Sequence, residues 1–113
     1  MCAPPRQVLR IAMDEGVPVV FGTDMLGHMH HRQSGEFDLR LQAMSPLQAL
    51  QSATIVATRL MRAEGEIGEL VAGAWADLLA VEGDPTVSLA MLTAPETGIR
   101  LLMQGVRTVR SSL

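Results

Sequence analysis

Apolar residues near the start of the chain recur at intervals of one to four positions between Arg6 and Glu15. This spacing predicts a short helix with one broad buried face, and Gly16 can take the left-handed conformation that ends it. The next five residues, 17–21, form an apolar run rich in β-branched and aromatic side chains. Such a run predicts a strand buried on both faces. A helix, a short connection and a buried strand together indicate part of a parallel α/β unit.

Residues 22–41 show no sustained period and collect Gly, His, Arg, Gln and Ser, so we predict a long loop with a helical turn near residues 37–41. Ser45-Pro46-Leu47-Gln48 then has the composition of a helix start, with Ser as N-cap, Pro at the first helical position and Gln completing a capping box. Apolar residues at three-and-four spacing follow. They predict one helix that ends before Gly65.

Beyond Gly65 the period changes from helical to strand-like. Short apolar segments over residues 66–71, 77–81, 99–103 and 106–109 predict a small group of antiparallel strands. The dipeptide Gln104-Gly105 is a plausible hairpin turn between the last two, because glycine can adopt a positive φ. Residues 88–92 could form one helical turn.

Composition limits the partners of the chain. Its 113 residues carry a net charge of −3, all nine cations are arginines, and no basic stripe exists to follow a phosphate backbone, so nucleic acid is not an expected partner. Cys2 is the only cysteine, which excludes an intramolecular disulfide and fits a reducing compartment. No apolar run approaches the roughly 18 residues that span a bilayer. We expect a cytoplasmic protein without a membrane partner.

One acidic residue stands where catalytic groups are common. Asp24 follows Gly22 and Thr23, just beyond the C-terminal end of the predicted buried strand. In parallel α/β architectures that edge holds the active site, and a carboxylate there can bind a cation or carry a proton. The alternative is that Asp24 caps the turn by accepting hydrogen bonds from backbone amides.

A second candidate is His28-Met29-His30-His31, because three imidazoles in four residues could bind zinc, copper or nickel. In an extended loop His28 and His30 would face the same way. The alternative is a solvated loop with chance affinity for metal. Nearby Glu36 and Asp38 are expected to face solvent or to anchor the loop rather than to act as a general acid/base couple. Arg32 and Arg40 could pair with an anionic substrate group or with those acids, and pairing at the surface is the expectation.

Several segments in order resemble the C-terminal end of the amidohydrolase superfamily, in the branch that includes imidazolonepropionase-like and Xaa-Pro dipeptidase-like enzymes. Residues 17–24, Val-Pro-Val-Val-Phe-Gly-Thr-Asp, resemble the eighth barrel strand and its terminal aspartate. Residues 44–54 are similar to the helix that follows. Residues 67–70, 73–78 and 83–85 resemble the return to a small β-sandwich domain. The resemblance runs over nearly all of the chain.

The resemblance implies an α/β fold: residues 1–64 as the last units of a (β/α)₈ barrel and residues 65–113 as strands of a β-sandwich. It implies hydrolysis of a C–N bond in a small amide, cyclic amide or dipeptide, with a divalent metal for which Zn²⁺ is the expected ion. Asp24 matches the aspartate that contacts the metal and carries a proton from the attacking water to the leaving nitrogen. His30 matches a loop histidine that contacts substrate or orders the loop.

Two departures from the family pattern narrow this expectation. The family's first His-x-His motif should come a few hundred residues earlier, so His28-Met29-His30, which follows Asp24, is not that motif. The chain also has no lysine, which excludes a carbamylated bridging ligand, and Ala74 stands where relatives commonly have lysine. We therefore expect the isolated chain to be inactive and to need the missing N-terminal barrel portion or self-association. The competing hypothesis is a non-catalytic α+β interaction module with adventitious metal binding at residues 28–31.

Overall fold

The first helix begins at a proline and ends at a glycine. In this computed structural model, which describes residues 3–113, α1 spans Pro5–Asp14. The Gly16 amide donates to the Met13 carbonyl and the Val17 amide to the Ala12 carbonyl, with Gly16 at a φ of 70°. These two bonds form a Schellman motif. The predicted helix and its glycine stop are confirmed. The broad buried face is wrong, because no residue of α1 is buried and Val8 and Ile11 are 53% and 54% exposed.

Residues 17–26 belong to no helix or strand. The predicted buried strand over residues 17–21 is therefore wrong for the described chain, where Val17 is 53% exposed. The parallel unit predicted around it has no second strand among residues 3–113. A strand exists only through hydrogen bonds to a neighbour, and residues 3–113 offer this apolar run no strand to pair with. The run is anchored instead at its end, where the Phe21 amide donates to the Ser52 carbonyl over 2.9 Å.

The segment predicted as a long loop is partly helical. A 3₁₀ helix spans Gly27–Gly35, and α2 follows directly over Glu36–Arg40. The predicted turn near residues 37–41 is thus confirmed, and the loop over residues 27–35 is corrected. Local bonds between residues three apart, such as Met29 N–H to the Leu26 carbonyl, satisfy the backbone there without a hydrophobic period.

The predicted capping box is present. Ser45 Oγ accepts from the Gln48 amide, and Gln48 Oε1 accepts from the Ser45 amide. The single helix expected beyond it is wrong, because α3 spans Pro46–Ser52 and α4 spans Ile55–Met61. Between them Thr54 leaves the helical conformation and its hydroxyl donates to the Leu50 carbonyl over 2.9 Å. Such bonds from Ser and Thr side chains to a preceding carbonyl favour bends in helices.

The segment after α4 consists of turns. Gly65 and Gly68 have φ values of 77° and 78°, and the Gly65 amide donates to Glu69 Oε1. The strand predicted over residues 66–71 is wrong, because a backbone held in left-handed turns cannot present the regular pleat of a strand. A Cβ on Gly68 would contact the Thr58 side chain and lie 3.2 Å from the Thr54 carbonyl oxygen. This glycine therefore lets the chain approach the junction of α3 and α4.

The described sheet has three antiparallel strands in the order β1-β2-β3: β1 spans Leu78–Val81, β2 spans Ile99–Gln104 and β3 spans Arg107–Ser111. The predicted strands near residues 77–81, 99–103 and 106–109 are confirmed. The hairpin turn lies one residue later than predicted, at Gly105-Val106, because Gln104 still pairs with Arg107. Asp77 Oδ1 accepts from the Gly105 amide over 2.6 Å and so ties this turn to the start of β1.

Two short helices, α5 over Ala90–Thr93 and α6 over Pro95–Gly98, connect β1 to β2. The helical turn expected near residues 88–92 is thereby confirmed. The core is small and joins the helices to this connection through five buried apolar residues, Met44, Ala49, Leu89, Met91 and Leu92. Within residues 3–113, no helix has the length and apolar character to cross a membrane. Cys2 lies outside the described residues.

Candidate functional site

Asp24 occupies a strained and exposed position. Its φ of 52° lies in the left-handed region, where only Gly is unstrained and Asp is among the better tolerated of the other residues. Thr23 Oγ1 accepts from the Met25 amide over 3.4 Å and helps to close the turn around Asp24. Asp24 is exposed. Strained backbone of this kind is concentrated at functional sites, because the surrounding structure must hold it in place.

Four side chains, Phe21, Glu36, Phe37 and Arg40, form a group of mutual contacts that we call the Arg40 cluster. The Phe21 and Phe37 ring centroids are 4.5 Å apart, and the Arg40 guanidinium carbon lies 5.5 Å from the Phe21 centroid. Arg40 Nε donates to Glu36 Oε1 over 2.8 Å. The cluster connects α2 to the last apolar residue before the Asp24 turn.

The burial of the Arg40 cluster corrects a sequence-based expectation. Arg40 does pair with an acid, but its side chain is only 6% exposed and that of Glu36 only 14%, so this is not a surface pair and Glu36 does not face solvent. Asp38, two positions along the helix from Glu36, is exposed as expected. The available signal was the four-residue spacing of Glu36 and Arg40, which places both on one helix face. Only the packing of residues 21 and 37 shows that this face is covered.

The three histidines lie on the 3₁₀ helix, and all are exposed. With three residues per turn, His28 and His31 share a face, whereas an extended loop would have aligned His28 with His30. His31 Nδ1 lies 2.7 Å from the His28 carbonyl oxygen, so this ring is engaged with its own helix. His30, the predicted substrate-binding residue, is exposed in the same helix that follows the Asp24 turn.

The structure does not gather a metal-binding set from this chain. Among the described residues, no group of three or more His, Cys, Asp and Glu side chains is placed to hold a metal ion. A structural zinc site takes four protein ligands and a catalytic one takes three. Asp24 with the neighbouring histidines therefore does not fit a complete metal centre, although an exposed carboxylate can contribute one ligand to a centre completed by other residues.

Two apolar cavities lie apart from Asp24 and the histidines. One, of about 810 Å³, is an open cleft between α3, the turns after α4 and the sheet, with Leu50, Leu79 and Leu102 in its wall. The other, of about 570 Å³, runs along residues 16–20 against α3 and α4. Neither contains the ionisable groups expected at a hydrolytic centre together with Asp24. The cavity of about 570 Å³ shows that the unpaired apolar run after α1 borders open apolar surface.

Comparison with known proteins identifies close structural counterparts. The model of the amidohydrolase family matches residues 3–106. A crystal structure of an amidohydrolase superposes with a TM-score of 0.91 at 34% identity, over 96% of this chain and 26% of that one. A prolidase crystallised with N-methylphosphonate-L-proline superposes with a TM-score of 0.88 at 34% identity, over 95% of this chain and 26% of that one.

A Xaa-Pro dipeptidase with methionine bound in its active site superposes with a TM-score of 0.81 at 28% identity, over 94% of this chain and 25% of that one. The chain therefore spans about a quarter of the length of these solved structures. The search of curated proteins found no match. The family resemblance inferred from the residue pattern is confirmed.

Proposed function

The chain belongs to the amidohydrolase family, and on that basis we propose that it is the C-terminal part of a metal-dependent hydrolase of C–N bonds in which Asp24 is the acidic site residue. The observation that carries the proposal is the superposition of nearly the whole chain on a prolidase at 34% identity. The exposed Asp24 at the end of the apolar segment supports its assigned role, because a proton carrier must reach both water and substrate.

In this proposal the metal is divalent, with Zn²⁺ the expected ion, and most of its ligands come from residues outside the 113 described by this sequence. A bound divalent metal supplies Lewis acidity and lowers the pKa of coordinated water. Asp24 contributes one carboxylate contact and holds the proton that must pass from the attacking water to the leaving nitrogen. His30, exposed on the 3₁₀ helix, is proposed to contact substrate.

The proposed substrates are small amides or dipeptides, with Xaa-Pro dipeptides first because the relatives include a prolidase and a Xaa-Pro dipeptidase. The division at residue 64 into a barrel part and a β-sandwich part belongs to the same proposal. So does the need for further barrel strands, which is supported by the unpaired apolar run 17–21 and its 53% exposed Val17. Completion could come from the rest of a longer amidohydrolase or from self-association.

Two observations favour the alternative function, a non-catalytic interaction module that binds metal adventitiously. His28, His30 and His31 are all exposed, and the antiparallel sheet is separate in sequence from α1 to α4, as in α+β folds. This alternative requires no contribution from Asp24. The two functions therefore differ in their response to a change at that residue.

A chimeric enzyme provides the test. The matching quarter of the 34% identical prolidase is replaced by this chain, and hydrolysis of Xaa-Pro dipeptides is measured with Zn²⁺ present. We expect activity in the chimera and a loss of about 10²- to 10⁴-fold in kcat for Asp24→Asn, the range typical of a removed general acid–base group. Asp38→Asn, at an exposed acid of α2, is the matched control and should retain activity.

Retained turnover in Asp24→Asn would refute the role of Asp24. A folded, metal-loaded chimera without activity would refute the assignment of this chain to the hydrolytic barrel. Zn²⁺ binding by the 113-residue chain that is lost on replacing the three histidines, together with an inactive chimera, would favour the interaction module.

A further inference from the structure

The buried ion pair of the Arg40 cluster has no evident purpose in stability. Arg40 is 5% exposed, and its Nη1 is buried with no hydrogen-bond partner among the described residues. A buried charge pair loses hydration that its mutual attraction repays only when every polar atom is well satisfied. Replacement of such a pair by apolar residues of similar volume is often neutral or stabilising. Stability alone therefore gives no reason for an arginine at residue 40.

The guanidinium does, however, act on a residue close to the site. It lies over the ring of Phe21, and Phe37 contacts the same ring from α2. A cation over an aromatic face is attracted to the ring quadrupole and favours one ring position over others. Phe21 is also held through its amide by the Ser52 carbonyl. Side chain and backbone of this one residue are thus fixed from two different helices, α2 and α3.

Phe21 is three residues from Asp24, and a Cβ built on Gly22 between them would meet no atom within 4 Å. The left-handed conformation of Asp24 is unfavourable for a non-glycine residue and persists only where its surroundings determine it. The segment belongs to no helix or strand, so regular secondary structure does not provide this restraint. The Thr23–Met25 hydrogen bond restrains the turn from within. Phe21, held by the Arg40 cluster and by the Ser52 carbonyl, restrains its start.

We propose that Arg40 is a positioning residue for Asp24, acting through Phe21. The Glu36 carboxylate orients the guanidinium, the guanidinium and Phe37 fix the Phe21 ring, and the fixed ring holds the start of the Gly22-Thr23-Asp24 turn. Arg40 does not touch substrate in this arrangement. The effect of Arg40 on catalysis rests on the proposed function of Asp24, whereas its effect on the Asp24 backbone conformation does not.

The first test uses the 113-residue chain and measures the backbone conformation of Asp24 separately from the stability of the fold. In the double variant Glu36→Gln/Arg40→Met the ion pair is removed without leaving either charge unpaired. We expect its urea midpoint to equal or exceed that of the parent chain. We also expect the backbone coupling constant and carbon shifts of Asp24, measured by NMR, to lose their left-handed values and to average. Arg59→Gln, at an exposed arginine of α4, is the matched control and should leave both readouts unchanged.

Two further variants keep the proposal falsifiable if the double variant fails to fold. Phe21→Leu retains an apolar side chain but removes the ring face, so it should release Asp24 in the same way. Arg40→Lys preserves the positive charge and should restore part of the Asp24 signature relative to Arg40→Met. Asp24 signals that stay left-handed in both the double variant and Phe21→Leu would overturn the proposal.

The second test measures kinetics in the active chimera. A shift of about 1 Å in a catalytic group can lower the rate by about 100-fold. In the chimera that carries Glu36→Gln/Arg40→Met, we therefore expect kcat to fall by about that factor while KM changes little. An equal loss of kcat in Arg59→Gln would contradict the proposal. If the chimera is inactive, the proposed function fails while the NMR result still decides whether Arg40 positions Asp24, so the two failures can be distinguished.

Discussion

Replacement of Gly68 by alanine should destabilise the protein, because the new Cβ would meet neighbouring atoms. The same replacement at Gly73 serves as the control for the backbone conformation. Gly68 and Gly73 both have positive φ values, 78° and 92°. A left-handed backbone costs an alanine about 1 to 2 kcal/mol, and this part is common to both substitutions. Open space surrounds a Cβ built on Gly73, whereas one on Gly68 meets the Thr58 methyl and the Thr54 carbonyl. The difference between the two variants therefore measures the close approach itself.

The steric cost of the new Cβ in Gly68→Ala is substantial because the atoms around it are fixed. Thr58 is only 4% exposed and its hydroxyl donates to the Ile55 carbonyl over 3.0 Å, so the methyl cannot rotate away without losing that bond. Overpacking of this kind costs about 1 to 3 kcal/mol. We therefore expect the free energy of unfolding to fall by about 2 to 5 kcal/mol in Gly68→Ala and by about 1 to 2 kcal/mol in Gly73→Ala. The whole free energy of unfolding of a small domain is about 5 to 15 kcal/mol.

Equilibrium unfolding in urea is the assay. With an m value of about 1.5 kcal/mol/M, the midpoints of the two variants should differ by about 0.7 to 2 M. Thr58→Ser removes the methyl that obstructs the new Cβ but keeps the hydroxyl, so it should recover part of the loss when combined with Gly68→Ala. Equal midpoints for the two alanine variants, or no coupling between positions 58 and 68, would refute the reasoning.

Two further predictions concern the core and the loop after β1. Leu89→Ala should lower the free energy of unfolding in urea by about 2 to 5 kcal/mol, because this side chain is 1% exposed. Leu70→Ala, at an 80% exposed position, should change it by less than about 0.5 kcal/mol. Similar losses in the two variants would contradict the assigned core. Hydrogen bonds from the Thr86 hydroxyl and amide hold the pKa of Asp84 below its usual value, so the resulting stabilisation is present above about pH 4 and is lost as pH falls through the folded pKa. Thr86→Val removes only the hydroxyl and should raise that pKa in a carboxyl ¹³C titration, and an unmoved pKa would show that the amide alone is responsible.

Local chemistry accounts for what could be predicted along the chain. The Schellman motif at Gly16, the capping box at Ser45 and the hairpin near Gly105 each depend on residues within a few positions of one another. Their hydrogen bonds close within one turn, so residue identity and spacing are sufficient to predict them. The family likewise follows from the order of short motifs along the chain, and the comparison with known structures confirms it.

Distant contacts account for what the pattern predicted wrongly. The apolar run 17–21 has the composition of a strand, but a strand needs a partner, and the described chain has none beside it. Gly68, fourteen residues away, lies against the break at Thr54, and no helical period reveals this contact.

The candidate site shows the same division. The sequence by itself determined that Asp24 follows an apolar segment and that Glu36 and Arg40 share a helix face. Tertiary structure decided that Asp24 is left-handed and exposed, and that Arg40 is buried against Phe21, nineteen positions earlier. The reason is physical: the side chain of an arginine suits both water and an aromatic face, and only the packing of distant residues selects between them.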